Sequence, residues 1–148
     1  MPLTIEIITG EQLLHRDEGI DEVIAPGGLG QLGILPSHAA MFTTLQPGEL
    51  VVRKNNVDEP FFLSGGFLEI KDDLVTILAD SAEAGDEIDL ERAQAARERA
   101  EARIRDEDTQ DRARAEAALR RSLMRIRVAE RRRRRGRADM PAGRGGAE

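Results

Sequence analysis

Arginines are the residues in this chain best placed for binding chemistry. The segment Ile88-Asp89-Leu90-Glu91-Arg92-Ala93 reads as a helix start with Asp89 as its N-cap. Further on, Arg121 and Arg125 stand four apart, hence on one face of a second helix. Across a helical hairpin they could meet Arg92 and Arg99. Several guanidiniums converging near a helix N-terminus make an anion or nucleotide-phosphate site, because backbone N–H groups and fixed positive charge both point at the ligand. Without such convergence the same residues are a capped helix and solvated charge.

Other candidates carry less. Gly28-Leu29-Gly30-Gln31-Leu32-Gly33 spells the dinucleotide fingerprint, but that chemistry needs the glycines to open a helix. Here Ile34-Leu35-Pro36 follows, so the glycines are read as turn residues with positive φ. His15 and His38 are the only histidines and there are no cysteines, which excludes disulfides and thiolate sites and leaves no zinc ligand set. Ser37-His38 sits in no nucleophile-elbow context, and no paired carboxylates stand out as acid and base. The chain reads as non-catalytic, with neither a metal nor a required cofactor.

Arg131–Arg135 raises the alternative of an arginine-rich nucleic-acid-binding protein. The run continues a helix, however, and the chain has neither Trp nor Tyr to stack on bases. A solvated helix end, or docking on an acidic protein surface, fits better, and no nucleic acid is expected. Charge divides the same way. Residues 1–91 hold four basic groups against eighteen acidic ones, and residues 92–148 hold eighteen arginines against ten acids. No apolar run reaches the ~20 residues a membrane span needs.

These residues need a scaffold, and the pattern supplies two kinds. Leu3, Ile5 and Ile7 alternate with Thr4, Glu6 and Ile8 as in a half-buried strand. Similar stretches at 20–25, 49–53, 60–63, 67–70 and 74–78 are separated by Gly, Pro, Asn and Asp turns. This spacing predicts an antiparallel sandwich or barrel over residues 1–87, with Phe42, Phe61, Phe62 and Phe67 as its largest core candidates. From residue 88 the period becomes helical. Leu90, Ala93, Ala96, Ala100 and Ile104 form one stripe, and Ala115, Ala118/Leu119, Ser122/Leu123, Ile126 and Ala129 a second. Residues 106–109 supply the turn of an antiparallel hairpin over 88–135, and 136–148 read as a disordered tail. Glu101–Arg105 and Glu116–Arg120 are expected i,i+4 pairs, each contributing ~0.2–0.5 kcal/mol. The seam is mostly alanine, so apolar burial there offsets little of the ordering cost, and the hairpin needs something to dock on.

Three stretches in register resemble the epsilon subunit of bacterial F-type ATP synthases: residues 30–39 (GQLGILPSHA), 64–70 (SGGFLEI) and 75–80 (VTILAD). The resemblance runs from about Leu3 to Glu130. It implies an α+β protein: a β-sandwich of about ten strands, then an antiparallel two-helix arm. It also implies a non-catalytic rotor-stalk subunit that couples proton flow to ATP synthesis and inhibits ATP hydrolysis through the arm. The implied partners are the gamma subunit, the c-ring and the catalytic head. The implied place is the cytoplasmic face of the bacterial cell membrane, reached indirectly.

In some members the compact arm takes ATP as a regulatory ligand through an Ile/Leu-Asp-x-x-Arg-Ala motif. Ile88, Asp89, Arg92 and Ala93 match that motif, Arg99, Arg121 and Arg125 match its supporting arginines, and Glu83 matches a further contact. Gln31, Ser37 and His38 match the side that meets stalk and ring, although Gln31 replaces the family's usual acid. The tail from Arg131 is longer and more basic than usual.

Overall fold

The computed structural model describes residues 1–105 and 109–138, with side chains described for 1–105 and 112–132. Ten strands come first: β1 (Leu3–Thr9), β2 (Gln12–Ile20), β3 (Glu22–Gly27), β4 (Gly30–Ile34) and β5 (Met41–Leu45), then β6 (Gly48–Lys54), β7 (Val57–Leu63), β8 (Gly66–Lys71), β9 (Leu74–Ala79) and β10 (Ala82–Ala84). A 3-10 turn (Gly85–Glu87) leads into α1 (Leu90–Arg105) and α2 (Thr109–Ala138). The strands hydrogen-bond in the order β10-β7-β6-β3-β5-β8-β9-β1-β2, with β4 beside β3, and the sheet folds over itself as a sandwich. The predicted class, sandwich then helical hairpin, is the one observed.

Pairing is antiparallel with one exception among the described residues. β1 lies parallel to β9, with Ile5 opposite Val75 and Ile7 opposite Ile77. A tight hairpin cannot join parallel neighbours, and here the whole body lies between the two strands. Leu3, Ile5, Ile7, Leu68, Ile70, Val75 and Ile77 are buried in one core with Leu50, Val52, Phe61 and Leu63.

Two of the four predicted core phenylalanines are elsewhere. Phe42 and Phe67 are 62% and 45% exposed and stack on each other at 5.6 Å between ring centroids. Their strands are two-faced, and the inward positions go to Leu45, Leu68 and Ile70. Phe62 is fully buried yet outside that core, as is Val51. Both face outward and are covered by the arm.

Several edges differ from the sequence reading. The expected strand 20–25 turns a corner at Asp21, whose N–H donates to the Arg53 carbonyl at 2.9 Å and whose Oδ2 accepts from the Asn55 N–H at 2.8 Å. Arg53 spans β6 to β3 and β7. The hydrogen bond that Arg53 donates to Asp58, reinforced by the charges of Asp58 and Glu22, holds the guanidinium above its ordinary range. Of the fingerprint glycines only Gly30 has positive φ (135°), while Gly33 lies within β4 and Gly28 sits against Thr44. The predicted turn residues 106–108 lie outside the described residues. α2 runs through Gly136, where the sequence reading begins its tail, as far as Ala138; residues 139–148 of that tail also lie outside. Arginine is a good helix former, which carries the helix on past Arg135.

Ser37 holds φ 68° without being glycine, and its N–H donates to Asp73 Oδ1 at 2.6 Å. Ser37→Gly keeps that bond and relieves the left-handed strain. It should raise stability by about 0.5–1 kcal/mol, measured by urea unfolding. An unchanged or lower midpoint would mean that the strain is negligible here.

Candidate functional site

The arm lies on one outer face of the sandwich. Register makes that face: Glu83 on β10 is opposite Phe62 on β7, and Phe62 is opposite Glu49 on β6. An acid–aromatic–acid row therefore crosses three strands. α2 lies over it, with Arg125 Nε donating to Glu83 Oε1 at 3.1 Å and its guanidinium 4.4 Å from the Phe62 ring centroid. A cation over an aromatic face is attracted by the ring quadrupole, more strongly when desolvated. Val128 is fully buried, and with Arg125 and Arg132 at i, i+3 and i+7 it forms the sandwich-facing side of α2. Val128 belongs to neither stripe of the sequence reading, which followed only the helix–helix seam. Phe62, Val51 and Val128 supply apolar burial that the alanine seam lacks.

On the seam Ala93, Ala100, Ala115, Ser122, Ile126 and Ala129 are buried, whereas Leu123 is 40% exposed. Ser122 satisfies its hydroxyl by donating to the Ala118 carbonyl at 2.9 Å. The expected acid-first pairs form the other way round. Glu101 binds Arg97 at 3.0 Å and Glu116 binds Arg112 at 3.3 Å, each glutamate taking the arginine one turn before it.

The start of α1 is fixed as predicted. Asp89 Oδ1 accepts from the Arg92 N–H at 3.1 Å, and the Asp89 carbonyl accepts from the Ala93 N–H at 3.0 Å. Beside this cap a cleft of about 470 Å³ opens between the 3-10 turn, α1 and α2. Ile88, Asp89, Arg92, Ala93 and Arg99 line one wall, and Glu83 and Arg125 the other. Seven of the eight residues singled out for nucleotide thus meet in one place. The eighth, Arg121, sits one turn before Arg125 and outside the lining. Glu87 and Ala96 line the cleft too and were not singled out. Ala96 already stood on the α1 stripe, and its small side chain is the signal that space is left there.

Chemically the cleft suits an anion carrying a polar ring or chain. Three guanidiniums face it, the α1 N-terminus adds its positive end, and the volume lies within the ~300–1,000 Å³ usual for small-molecule sites. Glu83 already occupies Arg125, so an incoming anion competes with a carboxylate.

Gln31, Ser37 and His38 do not belong to this cleft. Gln31 is exposed on β4, near a smaller cavity of about 250 Å³ shared with Met124 and Arg127 of α2. Ser37 and His38 lie in the loop between β4 and β5, where His38 Nδ1 is 2.8 Å from the Ala39 carbonyl oxygen. Within the arginine run, Arg131 and Arg132 have described side chains, and each faces a carboxylate: Glu49 at 3.1 Å and Asp86 at 3.9 Å.

Residues 2–85 match the family model for the beta-sandwich domain of the ATP synthase delta/epsilon chain, and residues 86–130 match its long alpha-helix domain. The chain belongs to the ATP synthase delta/epsilon family. The ATP synthase epsilon chain of Herpetosiphon aurantiacus is 51% identical over 106 residues, covering 72% of this chain and 77% of the relative. That of Chloroflexus aurantiacus is 48% identical over 97 residues, covering 66% and 69%. A chain in the cryo-EM structure of Euglena gracilis mitochondrial ATP synthase shares the fold, with TM-score 0.74 at 23% identity over 87% of this chain and 81% of that one. Epsilon chains of this family are a non-catalytic subunit of the ATP synthase complex. No helix among the described residues is long and apolar enough to cross a membrane.

Proposed function

We propose that this protein is the rotor-stalk epsilon subunit of a proton-translocating ATP synthase, that its arm inhibits ATP hydrolysis, and that the docked arm binds ATP. One observation carries the regulatory part: residues from β10, the start of α1 and the middle of α2 meet in a single cleft only while the arm is docked. A ligand there binds the docked state preferentially and so shifts the arm toward it. Arg92, Arg99 and Arg125 hold the phosphates, the α1 N-terminus adds backbone donors, and Ala93 and Ala96 leave room for the base. Arg121 lies one turn from the cleft and comes within reach by a rotamer change.

The sandwich supplies the coupling part. On the face away from the arm, register aligns Phe67, Leu78, Ile8 and Leu13 across β8, β9, β1 and β2, and Phe42 stacks on Phe67. Leu13, Phe42, Phe67 and Leu78 are exposed, and an apolar row of this size marks a protein contact. The gamma subunit is its proposed occupant. In this reading the c-ring meets the segments that carry Gln31, Ser37 and His38, with the subunit at the cytoplasmic face of the membrane.

Reconstitution with gamma and a catalytic head lacking epsilon tests this. Full-length protein is expected to slow ATP hydrolysis, and a version ending at Glu87 to bind without inhibiting. Equal inhibition by both would remove the arm from the mechanism.

A further inference from the structure

The arginine run is not used by the nucleotide cleft, yet its first two members tie the arm to the body. Arg131 Nη2 lies 3.1 Å from Glu49 Oε1, with the Glu49 side chain 14% and the Arg131 side chain 40% exposed, so that pair is partly shielded from solvent. Arg132 Nη2 lies 3.9 Å from Asp86 Oδ2 in the 3-10 turn. Between them the backbones come close. A Cβ on the buried Gly85 would stand 2.9 Å from Arg132 Cβ and 3.1 Å from Pro60 Cγ, so only glycine lets α2 seat here.

These contacts are separate from the cleft in position and in chemistry. The cleft engages α1 and Arg125, toward the β10 side of the acid–aromatic–acid row. Arg131 takes the opposite end of the row, at Glu49, and none of Glu49, Asp86, Arg131 and Arg132 lines the cleft. We propose that Arg131 and Arg132, closing on Glu49 and Asp86 around Gly85, clamp α2 to the sandwich independently of any ligand. The clamp sets how much of the docked arm persists when the cleft is empty. It answers to ionic strength, because screening weakens Coulomb pairs while leaving apolar contacts in place.

The test is hydrogen exchange at the Ile126–Ala129 amides in nucleotide-free protein, so its outcome is separate from that of the ATP reading. In Arg131→Gln/Arg132→Gln, protection of these amides should fall roughly five- to tenfold at low salt, the range for two partly shielded pairs. Raising KCl to about 0.5 M should speed exchange in the parent and scarcely in the variant. The β9 amides, deep in the sandwich, should keep their protection and so report that the body is intact. Arg120→Gln is the control, since Arg120 is exposed on α2 and lines neither cavity. Unchanged protection in the double variant overturns the clamp. An equal loss in Arg120→Gln overturns it too, because that would be a general effect of net charge.

Discussion

Gly66→Ala is expected to cost at least about 4 kcal/mol or to prevent folding, the range reserved for changes that break a backbone constraint. Gly66 begins β8 with φ 141°, a conformation L side chains rarely adopt. A Cβ there would overlap the Leu78 carbonyl oxygen and lie 2.9 Å from Ala79 Cα. These are backbone atoms of a paired strand, so no side-chain rotation relieves the clash. Gly66 also pairs with Leu45 on one side and Ala79 on the other, which leaves the strand no room to shift. Chemical denaturation of the chain ending at Glu87 would isolate the effect to the sandwich. A loss below ~1 kcal/mol, the size of an ordinary glycine-to-alanine adjustment, would mean that β8 can be rebuilt.

Arg125→Ala should have the next largest effect, because one side chain serves two purposes. It holds Glu83, covers Phe62 and faces the cleft. Charged hydrogen bonds contribute ~1.5–3 kcal/mol each, so loss of a phosphate contact should weaken ATP binding by roughly ten- to a hundredfold in calorimetry. Protection of the α2 amides should fall as well, since Phe62 loses its cover and Glu83 its partner. Arg125→Lys separates the two purposes. It keeps a charge for Glu83 but loses the planar stacking and the forked donors, so docking should survive better than affinity. ATP affinity unchanged in Arg125→Ala and in Arg92→Ala would reject the proposed pocket, whatever happens to docking.

That Arg92 and Arg99 share one side of α1 beside the Asp89 cap was legible because helical spacing is local, whereas their meeting with Arg125 depends on the hairpin, and Arg121, expected beside it, lies outside the lining. Strands with a clean apolar alternation, such as β1 and β9, were legible for the same reason. β2, β4, β5 and β10 were not marked out as strands. β2 is an edge strand guarded by Arg16, Asp17 and Glu18, and charges of this kind erase the pattern that reveals a strand. β4 contains Gly30 and Gly33, which read as turns. The fate of Phe62 could not be read at all. It adjoins Phe61, so alternation sends one inward and one outward, and only the arrival of α2 buries the second. The pairing of Glu101 and Glu116 was misread because each has an arginine four residues away on both sides, and a sequence does not rank the two.

The parallel contact between β1 and β9 has a consequence for how the protein is made. Emerging from the ribosome, β1 and β2 can form their hairpin at once, but the other side of β1 waits for residues 74–79. Until then Ile5 and Ile7 have no lid. Pairing across so long a stretch of chain is slow, and an unpaired apolar strand invites association with other nascent chains. The arm is synthesised only after this seam can close. The acidic row of the sandwich can therefore form before the arginines of α2 leave the exit tunnel, and α2 then meets a finished surface.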